Sequence, residues 1–84
     1  MTYFVYMLET ERGTIYTGIT TDVQRRFQEH LTGVSKNGAK YTNANKPVKI
    51  LYTKEYETKS EALKEEYRIK QLTRAQKLEM INLQ

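Results

Sequence analysis

Residues 3–18 read Tyr3-Phe4-Val5-Tyr6-Met7-Leu8-Glu9-Thr10-Glu11-Arg12-Gly13-Thr14-Ile15-Tyr16-Thr17-Gly18, and their pattern decides the fold. Two runs rich in aromatic and β-branched residues, Tyr3 to Leu8 and Gly13 to Gly18, are parted by the polar stretch Glu9-Thr10-Glu11-Arg12. That pattern is a β-hairpin. If Glu9 pairs with Gly13, paired positions sum to a constant that sets Tyr6 directly opposite Tyr16. Opposite residues share a face, where two rings stabilise each other by about 0.2–1 kcal/mol through contact alone.

Working outward, Val23, Phe27 and Leu31 recur at i, i+4 and i+8, and Thr21 with Gln24 has the capping-box spacing, so a helix is expected over 22–31, ended by Gly33. Residues 34–47 hold Gly38, Pro47, three asparagines and three lysines without apolar periodicity, and read as a long loop. Val48 to Thr53 returns to strand character and should join the hairpin as a third strand. Thr58 with Glu61 and Thr73 with Gln76 repeat the capping pattern ahead of helices expected at 59–72 and 74–82. The order is ββαβαα. It predicts an α+β fold with a small three-stranded antiparallel sheet flanked by helices.

A chain of 84 residues makes one domain, 1–84, with a core near the lower limit for folding without staples. The absence of cysteine excludes disulfides and thiolate zinc sites. No export signal or long apolar run is visible, so a cytoplasmic protein with no membrane contact is expected, and no obligate protein partner is evident. Fourteen Lys/Arg face ten Asp/Glu, and the excess is local: residues 33–54 carry five basic groups and no acidic one. A wet basic loop is common on any surface. It also suits a polyanion, and Lys36, Lys40, Lys46 and Lys49 are its candidate contacts, with Arg25 on the first helix.

Five residues are not explained by the fold alone. Tyr6 and Tyr16 are the paired phenols. Arg26 and His30 lie four apart beside the Val23–Phe27–Leu31 stripe, at about −60° and −20° from Val23, so both lean toward the sheet. In ordinary packing an Arg stem covers a core edge and a lone His is an interior residue with its hydrogen bonds met. Glu66 follows Ala62 by four and Leu63 by three and precedes Ile69 by three, which sets it among apolar neighbours while Glu65 points elsewhere. A carboxylate in that position must be paired, protonated or bound to a cation, and Lys70 at i+4 offers a plain ion pair.

At these residues the chain resembles the GIY-YIG nuclease superfamily, in its small standalone bacterial form. Phe4-Val5-Tyr6 stands for the first motif, without its Gly and Ile, and Tyr16-Thr17-Gly18 for the second. The run continues closely through Ile19-Thr20-Thr21-Asp22-Val23-Gln24-Arg25-Arg26, and Ala62-Leu63-Lys64-Glu65-Glu66 looks like the helix bearing the metal-binding glutamate. The resemblance implies an endonuclease that hydrolyses DNA phosphodiester bonds with one divalent metal, Mg²⁺ or Mn²⁺, on Glu66. Structure-specific cutting in repair or recombination is the expected setting. Tyr6 and Tyr16 would position or deprotonate water, Arg26 would hold the scissile phosphate, and His30 would act as a relay or second phosphate contact. The alternative is a nucleic-acid-binding module of the same fold that cuts weakly, and a third reading is a protein-interaction subunit.

Overall fold

The computed structural model describes residues 2–32 and 46–84. Strands β1 (Tyr3–Thr10), β2 (Ile15–Thr20) and β3 (Pro47–Tyr56) form one antiparallel sheet in the order β2-β1-β3, with helices α1 (Val23–Thr32), α2 (Lys59–Lys70) and α3 (Arg74–Asn82). The expected element order and class are found. Lys36, Lys40 and Gly33 lie outside the described residues.

The central strand explains the first apolar run. Val5, Tyr6, Met7 and Leu8 are all buried, because β1 is flanked by strands and covered on both faces. Val5 and Met7 face α2 and join Tyr52, Ala62 and Ile69 in the main core, with Met80 and Ile81 of α3 packed against it. Full burial of side chains of this size contributes about 1.5–3 kcal/mol each. Tyr6 points the other way, toward His30 of α1.

The hairpin register differs from the expected one. Tyr6 pairs with Gly18 and Tyr16 with Leu8, so the two tyrosines are diagonal neighbours on one face rather than opposite partners. The cause is Gly13, which takes φ +79° inside the turn and so leaves the ladder. That left-handed conformation suits a residue without Cβ, as in hairpin loops that end on a glycine. The ladder closes instead at Thr10, whose amide donates to the Thr14 carbonyl at 3.0 Å while the two hydroxyls meet at 2.6 Å.

Other boundaries shift for local reasons. α1 is capped by Asp22, whose Oδ1 accepts from the Arg25 amide at 3.0 Å, and not by Thr21. β3 begins at Pro47, which an edge strand tolerates at its first residue, and runs on to Tyr56. α2 ends at Lys70, two residues early, and α3 spans the expected range. Thr58 caps α2 through the Glu61 amide, and Thr73 and Gln76 form a complete capping box on α3.

One core position is imperfect. Thr17 is 4% exposed, and its hydroxyl has no hydrogen-bond partner among the described residues. A buried unsatisfied hydroxyl costs about 1–3 kcal/mol, so Thr17→Val, which keeps the shape, should stabilise the fold by about 1 kcal/mol. Urea unfolding midpoints of the two proteins measure this, and an equal or lower midpoint in the variant would show that the hydroxyl is satisfied in solution.

Candidate active site

The site is built around an absence. Gly18 sits under the Tyr6 ring: a Cβ added there would lie 2.6 Å from the Tyr6 hydroxyl and 2.9 Å from Cζ. Since Tyr6 is 1% exposed, its ring has little space into which to retreat. The glycine therefore lets the phenol lie across β2, and the diagonal register brings Tyr16 beside it with ring centroids 6.2 Å apart. In the sequence Gly18 carries only its place in the second motif. Its opposition to Tyr6, visible only once the register is known, is the signal that was missed.

α1 closes the group from above the sheet. His30 Nε2 lies 3.3 Å from the Tyr6 hydroxyl, in a hydrogen bond whose direction follows the imidazole tautomer. Its ring meets Tyr16 edge-on at 5.0 Å between centroids. Arg26, one turn before His30, stands close enough to the Tyr6 hydroxyl to pull its pKa down against burial. Four of the five residues singled out from the sequence thus converge.

Glu29 was not foreseen. It is 7% exposed, and its carboxylate accepts from Arg26 Nη1 at 3.2 Å and faces Arg25 Nε at 3.7 Å. At i+3 and i+4 from the two arginines its position was legible, but a polar helix position adjoining His30 carried no apolar signal.

Burial sets the acid–base character. It pushes the Tyr6 phenol up to about 12, against a smaller opposing pull from the Arg26 hydrogen bond, so Tyr6 is a protonated phenol at neutral pH. Burial also lowers the His30 pKa, helped by the Arg26 charge and opposed by Glu29. His30 is therefore neutral at pH 7. Tyr16 is 41% exposed and open to a substrate.

Glu66 stands apart from this group. Leu63 is 43% exposed, so the buried stripe of α2 is Ala62 and Ile69, and Glu65 and Glu66 flank it on either side. The expectation that only Glu66 leans inward is corrected: side-chain exposures are 15% for Glu65 and 19% for Glu66. The two acids differ in partners. Glu65 grips Arg68 through both oxygens, which with the nearby Tyr56 hydroxyl lowers its pKa, the Arg68 hydrogen bond first. Among the described residues Glu66 makes a 3.3 Å ion pair with Lys70, an exchangeable partner.

No group of three metal-ligating side chains occurs among the described residues. A single carboxylate still fits a hard cation that keeps most of its waters, whereas it would not make a closed protein cage. α2 lies on the sheet face opposite Tyr6 and packs against both β1 and β2, β2 being an edge strand of the sheet among the described residues. Glu66, on α2, and the phenols thus belong to opposite faces of the sheet.

Of the basic residues, Arg25 is 38% exposed beside Arg26, and Lys46 and Lys49 are exposed near the hairpin turn, where the Lys46 carbonyl accepts from Glu11. A scan against family models matches residues 2–79 to the GIY-YIG catalytic domain. The chain belongs to that family. A UPF0213 protein of Halobacterium salinarum is 55% identical over 75 residues, 89% of this GIY-YIG chain and 94% of its relative. Another from Oceanobacillus iheyensis is 46% identical over 98% of this chain and 92% of its own. Among solved structures, the solution NMR structure of a UPF0213 protein from Bacillus halodurans has a TM-score of 0.64 and 40% identity over 100% of this chain and 86% of that one. The solution structure of an E. faecalis protein gives 0.63 and 37%, covering 100% and 90%.

The electrostatics of this GIY-YIG site are measurable because His30 is the sole histidine. Its NMR titration midpoint should fall below 6.5, and further in Glu29→Gln, which removes the carboxylate that raises it. The sign for stability follows. With His30 lowered, stability is full above pH 6.5 and declines as pH falls through that value, because the unfolded chain takes the proton first. With Tyr6 raised, its contribution is present below pH 10 and lost as pH climbs toward about 12. A His30 midpoint above 6.5 would refute the burial argument.

Proposed function

We propose that the chain is a metal-dependent endonuclease that hydrolyses DNA phosphodiester bonds at the Tyr6–Tyr16–Arg26–His30 face, with Glu66 as the metal ligand. The observation that carries the reading is the convergence of two phenols, a guanidinium and a neutral imidazole over a glycine that makes room for them. Packing alone does not require two hydroxyls, an imidazole and an arginine at one spot.

Each residue has a task suited to its state. Arg26, held by Glu29 at 3.2 Å, presents a rigid donor fork to the scissile phosphate. Tyr6, protonated at pH 7, orients the attacking water and passes a proton along. As the water oxygen bonds to phosphorus, its proton goes to the Tyr6 oxygen while the phenol proton moves to His30 Nε2, 3.3 Å away. The bond to the sugar oxygen breaks, and that oxygen takes a proton from solvent. Tyr16, exposed and edge-on to His30, contacts the strand and steadies the imidazole. Glu66 would hold one Mg²⁺ or Mn²⁺ after Lys70 lets go, and such an ion supplies charge neutralisation on the phosphate. Lys46, Lys49 and Arg25, with Lys36 and Lys40, would hold the backbone without reading sequence.

Purified protein incubated with duplex, nicked, branched and single-stranded DNA, in Mg²⁺ and in EDTA, tests the proposal. Cutting that EDTA abolishes is expected, with a preference for branched DNA if the enzyme serves repair or recombination. Binding without cutting under every condition would establish the weak binding module instead. Glu66→Gln should remove metal-dependent cutting and leave the melting temperature nearly unchanged. Glu65→Gln should do the reverse, since it breaks the bidentate Arg68 pair. Arg26→Lys should lose most turnover despite keeping its charge, because an ammonium cannot form the fork. Equal cleavage by the Glu66 and Glu65 variants would show that α2 does not hold the metal through Glu66.

A further inference from the structure

A second basic hollow lies beside the first site. It has a volume of about 390 Å³ and is lined by Thr20 and Thr21 at the end of β2, Arg25 and Arg26 on α1, and Lys59 at the start of α2. Three cations from two helices share it with Thr20, Thr21, Tyr3 and Ile19. Glu29 sits behind the arginines, and the Asp22 carboxylate is engaged by the Arg25 amide, so three positive charges face two negative ones and the balance stays basic. Arg25 Nε is buried and makes no hydrogen bond among the described residues, with Glu29 the nearest carboxylate at 3.7 Å. The arginine is thus held by charge rather than by a closed set of hydrogen bonds, and its side chain is 38% exposed.

We propose that this hollow binds the phosphodiester next to the scissile one on the same strand, with Lys59 and Arg25 as its ligands and Glu29 as the group that orients both arginines. The inference rests on the nuclease reading, because Arg26 lines the hollow and also belongs to the Tyr6–His30 group, which sets the hollow beside the place of the scissile phosphate. Phosphate recognition fits the groups present: a guanidinium fork and a point charge on a flexible stem. The location also extends the DNA path away from the basic segment. Lys46 and Lys49 lie toward the hairpin turn, while Tyr3, whose strand partner is Tyr56, marks the opposite end of the sheet, where the hollow opens.

The test is binding of oligothymidylate in EDTA across a salt series, so that cutting plays no part. Lys59→Ala and Arg25→Ala should each weaken binding several-fold and make the salt slope shallower by about 0.7, the value for one phosphate contact on a single strand. Lys59→Arg should restore both. Oligouridylate should show the same dependence on Lys59, because the contact is to phosphate. Amide NMR signals of Thr20, Thr21 and Lys59 should shift on titration with the oligomer. An unchanged slope and affinity in both alanine variants, or still signals at Thr20, Thr21 and Lys59, would overturn the proposal. Should wild-type protein cut no DNA in Mg²⁺ while Lys59 still governs the slope, the hydrolytic reading fails and the phosphate site stands.

Discussion

The rest of this structure depends on the close approach of the Tyr6 ring to the backbone of Gly18. A strand residue with any side chain at position 18 would push the phenol off β2, since even a Cβ would stand 2.6 Å from its hydroxyl. That one contact fixes the lie of a buried ring, and the ring in turn fixes where α1 can bring His30 and Arg26. Position in the sheet and position in the site are therefore a single constraint. The enclosure has a chemical result as well: desolvation keeps the phenol protonated and the imidazole neutral, a pair suited to passing a proton at neutral pH.

A second layer supports the first. Glu29, buried on α1, faces Arg25 and Arg26 at once, and so converts two flexible cations into fixed donors. Breaking such an anchor costs more than its ion-pair energy, because a charge is left without a partner in a poorly hydrated place. The arrangement divides the labour of α1: His30 and Arg26 serve the phenols, and Arg25 turns toward Lys59. On the other helix face pair, Glu65 is spent on the fold through Arg68 and Tyr56, which leaves Glu66 as the carboxylate with an exchangeable lysine.

Most of the architecture was legible from sequence because its signals are local. Threonine caps at Thr58 and Thr73, the apolar run of β1 and the Val23–Phe27–Leu31 stripe each mark an element without reference to distant contacts. The hairpin register was not legible in the same way. Whether Gly13 continues the strand or turns left-handed at φ +79° moves every pairing, and composition does not separate the two. Candidate residues survived the shift because Tyr6 and Tyr16 stay on one face whether opposite or diagonal. The apolar arc of α2 misleads at Leu63, whose side chain is 43% exposed despite its apolar character. Glu29 and Lys59 could not be found by looking for apolar faces, as their roles come from charges brought together only by the tertiary fold.

The central claim is that the Tyr6–Gly18 contact sets the chemistry and not merely the packing. The most direct measurement is the single-turnover rate of DNA cleavage in Mg²⁺ by Gly18→Ala beside the unaltered protein, with folding of both confirmed by their NMR spectra. The account predicts a folded variant in which the displaced phenol lowers the rate by at least about tenfold, equivalent to about 1.4 kcal/mol of transition-state stabilisation. A folded Gly18→Ala protein that cuts as fast as the original would contradict it.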